Sequence, residues 1–284
     1  MAIPTSHLPT RILQIFCLLF TIPFFLTAFS ASIGDLSIID YDYDYDYDHD
    51  PFHGDYSPPS PPPPSPPPHT PSLSCDELRG IGSLNTTCEL NYSLNFTDDV
   101  YIAGKGNLYI LPGVNITCPI SGCSISVNVS GEFRLGSSSK LELGTAYVVA
   151  GNVSLLEGSM INVTALAGAP PEHTSGTPKG SQGGGGGHGG RGASCVMDNT
   201  KLPEDVWGGD AYSWSSLDKP WSYGSKGGTT NKDEDFGGGG GGRIWIEVKC
   251  NVEAHGSLLA DGGDGGLKGG GGSGGSIYIK SQKM

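Results

Sequence analysis

Between Gly168 and Gly275 the chain carries 33 of its 46 glycines. They gather in three tracts: Gly183–Gly187 with Gly189 and Gly190, Gly237–Gly242, and Gly262–Gly275 with few interruptions. Glycine loses more backbone freedom on folding than any other residue, so ordering such tracts is costly. They are therefore either disordered spacers or backbone packed so closely that no Cβ fits. Two tracts run straight into short alternating apolar segments, Arg243-Ile244-Trp245-Ile246-Glu247-Val248 and Ser276-Ile277-Tyr278-Ile279-Lys280. A spacer has no reason to deliver the chain twice into a β-branched and aromatic run, so the packed reading is preferred.

The chain before Ser74 is not domain-like. Arg11 precedes the apolar run Ile12–Phe29, which ends in small residues, Ala28-Phe29-Ser30-Ala31-Ser32. That order predicts a cleaved secretory signal peptide over 1–32 rather than a signal anchor, and Pro23 inside the run supports cleavage. Residues 33–73 read as a disordered spacer. Tyr41, Tyr43, Tyr45 and Tyr47 alternate with aspartates that nothing neutralises, and no cage fixes them as calcium ligands. Ser57–Pro71 follows with proline too dense for helix or sheet. Ser60-Pro61-Pro62-Pro63-Pro64 and Ser65-Pro66-Pro67-Pro68 resemble the Ser-Pro blocks of plant extensins, which implies a wall-facing spacer. The Tyr-Asp repeat departs from extensin cross-linking motifs. A net charge of −13 argues against nucleic acid and anionic membranes as partners. No second stretch is long and apolar enough to span a bilayer, so the mature chain is expected to have no membrane span.

From Ser74 to Gly168 short alternating runs bounded by Gly and Ser show no helical period. Gly106-Asn107-Leu108-Tyr109-Ile110-Leu111-Pro112-Gly113 recurs as Gly151-Asn152-Val153-Ser154-Leu155-Leu156-Glu157-Gly158. A weaker copy starts at Gly131, and Gly256-Ser257-Leu258-Leu259-Ala260-Asp261-Gly262 reads as a fourth. Steps of 25 and 20 residues between Gly106, Gly131 and Gly151 suit a repeat array. The fold expected is mainly β: a parallel β-solenoid (β-helix-like) over 74–168, with polyglycine tracts and an aromatic insert over 169–284. An antiparallel sandwich is the second choice. Outside the leader stand Cys75, Cys88, Cys118, Cys123, Cys195 and Cys250, an even set for disulfides behind a signal peptide. Cys118 and Cys123 enclose a small loop, and a Cys195–Cys250 bridge would close the aromatic insert. Seven N-x-S/T sequons, at Asn85, Asn91, Asn95, Asn115, Asn128, Asn152 and Asn162, predict N-glycosylation at several. Asn128 and Asn162 sit beside valines, so their side chains must turn away from the core.

Few residues offer chemistry. Gly187-His188-Gly189, Asp98-Asp99 and Arg243-Ile244 resemble elements of polygalacturonases, but Trp245 stands where that family has Lys, and no Asn-Thr-Asp element exists. Glycoside hydrolysis needs paired carboxylates on one face, and adjacent aspartates in a strand point to opposite faces. Polyglycine satisfies phosphate-loop patterns trivially, and the histidines lack metal-ligand spacing. No enzyme, catalytic residue, metal or cofactor is predicted. The most informative non-glycine stretch is 202–228, with Trp207, Tyr212, Trp214, Trp221 and Tyr223. Such aromatics either pack against glycine backbone or stack on sugar rings, and burial is the commoner fate.

Several long strings carry a wider resemblance: Val100-Tyr101-Ile102-Ala103-Gly104-Lys105-Gly106, Cys118-Pro119-Ile120, Lys201–Trp214, Lys219–Gly224 and Gly274–Lys280. From Ser74 onward the chain resembles the N-terminal part of long plant glycine-rich proteins of unknown activity. The glycine tracts are also similar in composition to the extracellular domain of anaplastic lymphoma kinase-type receptors, where polyglycine helices pack together. The plant family implies a longer solenoid with membrane-spanning segments near its C-terminus, of which a chain stopping at Met284 would be a truncated piece. The expected function is a non-catalytic, secreted structural protein of the cell surface or cell wall. The alternative is an extracellular module binding wall polysaccharide or a protein partner through 202–228.

Overall fold

Alternating apolar residues set the strands, and the register between strands sets everything else. The computed structural model describes residues 71–176, 183–193, 208–212, 218–229, 234–266 and 269–284. The leader, the Tyr/Asp repeat, nearly all of the polyproline stretch, Cys195, Trp207 and Trp214 lie outside them. The described residues hold sixteen short strands and no α-helix, in three sheets. Sheet I contains β1 (Ile81–Gly82), β2 (Thr87–Leu90), β5 (Asn107–Ile110), β8 (Glu132–Leu135), β11 (Asn152–Leu155) and β14 (Val252–Ala254). Sheet II contains β3 (Leu94–Asn95), β6 (Asn115–Thr117), β9 (Lys140–Glu142), β12 (Met160–Asn162) and β15 (Ser257–Leu259). Sheet III contains β4 (Val100–Gly104), β7 (Ser124–Val129), β10 (Thr145–Ala150), β13 (Arg243–Val248) and β16 (Ser276–Lys280).

From β2 onward, successive strands fall in sheets I, II and III in strict rotation. Only β1 and β2 pair antiparallel; every other strand pairing is parallel, which removes the antiparallel sandwich. Because register is conserved from rung to rung, inward side chains form columns. Leu90, Ile110, Leu135 and Leu155 stack in sheet I, and Ile102, Val127, Val148, Ile246 and Ile279 stack in sheet III. These columns form the core, with Phe133, Leu135 and Ile161 fully buried. Burying each such side chain stabilises by roughly 1.5–3 kcal/mol. The repeats beginning at Gly106, Gly131 and Gly151 become β5, β8 and β11 of one sheet. The fourth, at Gly256, does not join them: it is β15, in sheet II, while the sheet I rung is β14, which has no preceding glycine signal.

One end of the array is closed covalently and by packing. Cys75 and Cys88 form a disulfide, Leu78 is buried, and Leu73 N–H donates to the Tyr101 carbonyl at 2.9 Å. Cys118 and Cys123 are also bridged, closing the small loop that their spacing suggests.

Both glycine-rich insertions leave the array at the same corner. One runs from β12 to β13 and the other from β15 to β16, each passing from sheet II to sheet III. Since those rungs are neighbours, the insertions lie side by side. Successive donors then point to different segments: Gly185 N–H to the Ala193 carbonyl (2.6 Å), Gly186 to Gly271 (3.0 Å) and Gly187 to Thr174 (2.8 Å). Likewise Gly270 donates to Gly228, Gly272 to Gly263 and Ser273 to Ser225, each at 2.9 Å. An extended helix with three residues per turn and no internal hydrogen bonds offers its donors in that way. The tracts satisfy one another's backbone, as buried amides require. At Gly227 a Cβ would overlap the Gly270 carbonyl, whereas at Gly189 it would meet nothing within 4 Å. Gly227→Ala is therefore expected to cost about 1–3 kcal/mol of unfolding free energy. Gly189→Ala should stay within about 0.5 kcal/mol. Chemical denaturation of both variants checks this, and equal effects would mean that the tracts are not packed.

Candidate functional site

The outer face of sheet III carries a cluster of large polar and aromatic side chains. Parallel register places Tyr147, Trp245 and Tyr278 opposite one another on β10, β13 and β16. Adjacent strands lie about 4.8 Å apart, close to ring-stacking distance. Trp245 stacks on Tyr278 with centroids 4.0 Å apart and on Tyr147 at 6.2 Å. The insert then adds Trp221, nearly perpendicular to Trp245 (5.4 Å, 85°) and to Tyr147 (6.0 Å, 76°). The guanidinium of Arg243, two residues before Trp245, lies 4.2 Å from the Trp221 ring centre and 3.7 Å from that of Tyr223. Arg243 Nη2 donates to the Tyr223 hydroxyl at 2.7 Å, and that hydroxyl also lies 2.8 Å from Thr145 Oγ1. Burial lowers the Arg243 pKa, and Tyr223 opposes that shift. Arginine nonetheless stays charged at any ordinary pH.

Arg243 therefore lies against both Tyr223 and Trp221, and Trp221 in turn meets Tyr147 and Trp245. Trp221 thus meets the cation over its ring and packs edge-to-face with Tyr147 and Trp245. Tyr223 rests on Gly168, where a Cβ would strike its ring. Ser222 and Ser276 add a reciprocal pair: Ser276 Oγ accepts from Ser222 N (3.1 Å) and donates to Ser222 O (2.8 Å). Tyr212 lies within the glycine body, its hydroxyl donating to the Tyr223 carbonyl and lying 2.9 Å from Ser225 Oγ. Ser225 Oγ also lies 2.7 Å from Thr174 Oγ1. Burial raises the Tyr212 pKa, with Ser225 partly offsetting it. Among the described rings of the insert, Tyr212, Trp221 and Tyr223 each have partners within the chain. Sequence reasoning found Tyr212, Trp221 and Tyr223 but missed Tyr147, Trp245, Tyr278 and Arg243. Their signal was present: an aromatic third residue in each of TAYVVA, RIWIEV and SIYIK.

Other candidates fall elsewhere. Asp98 and Asp99 were expected on opposite faces of a strand. They precede β4 instead, and both line one open cleft of about 730 Å³ with Thr97, Ile120, Ser121 and Tyr223. Asp99 Oδ1 accepts from Ser124 N at 2.8 Å, and Asp98 Oδ2 from Thr97 Oγ1 at 3.0 Å. Among the described residues no group of three or more His, Cys, Asp or Glu side chains is placed to hold a metal ion. No helix there is long and apolar enough to cross a membrane. Cys250, expected to bridge Cys195, is an exposed free thiol. Asn128 is exposed between buried Val127 and Val129, and Asn162 is half-buried between buried Ile161 and Val163, so both turn from the core. Asn85, Asn95, Asn115 and Asn152 are exposed, and Asn91 is half-buried. His188 packs 5.0 Å from the Tyr212 ring, and burial lowers its pKa.

Set against known protein families, curated proteins and solved structures, the chain matches none.

Two outcomes follow from this geometry. Trp221→Ala removes a large ring from the stack, and half of the cost of a core truncation, about 2 kcal/mol, is expected in denaturant. A change below about 0.5 kcal/mol would show that the stack does not hold the insert. For His188, a lowered folded pKa means that the unfolded state binds the proton more readily. Stability is therefore expected to fall as pH drops through the ordinary histidine range, and thermal melts of wild type and His188→Asn between pH 7.5 and 5 should diverge on the acid side.

Proposed function

We propose that this chain is a secreted, non-catalytic structural protein of the cell surface or cell wall, allied to the plant glycine-rich family that its sequence resembles. The observation that carries the reading is that its described glycine tracts and the described rings of its insert are partnered within the chain. Glycine backbone hydrogen-bonds to glycine backbone, and Trp221, Tyr223 and Arg243 spend their faces on one another. Strict rotation through three parallel sheets supports a parallel β-solenoid as the framework. The disulfides at Cys75–Cys88 and Cys118–Cys123 and the outward sequons support an oxidising, secretory route. The alternative role, binding wall polysaccharide or a protein through 202–228, draws less support because Tyr212, Trp221 and Tyr223 are already engaged.

Expression of the full chain in a mammalian secretory host tests the reading. The expected product is exported, carries N-glycans at several sequons, and yields both disulfide-linked peptides on a non-reducing map. Retention in the cell with unmodified asparagines and reduced cysteines would overturn it.

A further inference from the structure

We propose that the cleft where sheet II passes into sheet III is the seat of the chain's own N-linked glycan, carried on Asn95. The proposal rests on the secretory reading above, without which no glycan is attached. Asn95 ends β3, is exposed, and stands two residues before Thr97, which is both the hydroxyl residue of its sequon and part of the cleft wall. Attachment joins Nδ2 to the anomeric carbon of a sugar; the lipid-diphosphate carrier of the activated donor leaves, and one Nδ2 proton is released. Oδ1 keeps its lone pairs through that step. The bond it accepts from Thr117 Oγ1, 2.9 Å long and made from the neighbouring rung β6, therefore survives and fixes the amide's direction.

The cleft suits a neutral sugar in three respects. Asp98 and Asp99 offer carboxylate acceptors for hydroxyl groups. Ile120, 47% exposed at the rim, offers an apolar surface to the C–H face of a ring. Among the described residues no Lys, Arg or His lines it, and the Asp98 and Asp99 carboxylates there disfavour a phosphate, sulfate or uronate. Its volume, about 730 Å³, lies in the range that holds a ligand of several rings. A tethered ligand needs little intrinsic affinity, because a short linker gives an effective concentration of about millimolar. Asn95 is joined to this cleft through Thr97, two residues on, whereas no residue of the Asn128 or Asn152 sequons lines it.

The test uses the full chain secreted from a mammalian host, treated in its native state with a peptide-N-glycosidase that converts each released asparagine to aspartate. Peptide mass spectrometry follows every sequon with time. Release at Asn95 is expected to be about tenfold slower than at Asn128 and Asn152, and equal to them after denaturation. Ile120→Ser, a change at an exposed position, is expected to bring the Asn95 rate up to the others. Equal native rates, or an unmodified Asn95 beside occupied sequons elsewhere, would overturn the proposal alone. A chain with no sequon occupied would overturn the secretory reading together with it.

Discussion

Close approach of glycine backbone to glycine backbone is the constraint on which the rest of this molecule depends. A tract of glycine alone is too costly to order, since each residue gives up the widest range of conformations of any amino acid. What offsets that cost is density. With no Cβ, extended chains can come near enough for successive donors to reach different neighbours, as Gly185, Gly186 and Gly187 do. Such an arrangement needs the tracts to be delivered side by side. The parallel sheets do this by conserving register: two insertions that leave neighbouring rungs at one corner must emerge next to each other. Sheet geometry thus comes first, and glycine packing follows from it.

The join between the two parts is made by an unlike set of forces. A hydrogen-bonded glycine body has little apolar surface with which to hold a sheet. The chain supplies it through Trp221 and Tyr223, which close over Arg243 on the outer face of β13. A guanidinium suits this position because it is planar, weakly hydrated and able to stack on two rings while donating to a hydroxyl. The aromatic column Tyr147–Trp245–Tyr278 is produced by the same register that aligns the aliphatic columns on the inner face. One periodicity therefore builds both the core and the surface that receives the insert.

Much of this was legible in the sequence, and the parts that were not have physical reasons. Alternation of apolar residues gave the strands from β2 to β12, and the glycine spacing at Gly106, Gly131 and Gly151 gave their parallel stacking. Gly256 misled because a Gly-x-Leu-Leu string describes any strand that starts after a tight turn, and cannot say which of three sheets receives it. Asp98 and Asp99 misled because the strand rule of alternating faces was applied one residue too early; in the connection before β4 both reach the same cleft. The aromatic column was missed because neighbouring members are separated by as many as 98 positions, between Tyr147 and Trp245, and only the parallel pairing brings them together. Function was the least legible part, since Tyr212, Trp221 and Tyr223, which read as sugar-binding in isolation, have partners within the fold.

The central claim is that the polyglycine is ordered backbone, and amide hydrogen exchange measures it most directly. On the secreted chain, residue-resolved exchange is expected to show Gly186, Gly187, Gly238, Gly241, Gly270 and Gly272 protected to the same degree as the strands β10 and β13. Exchange at those glycines at the rate of an unstructured chain, beside protected strands, would contradict the account and leave the tracts as spacers.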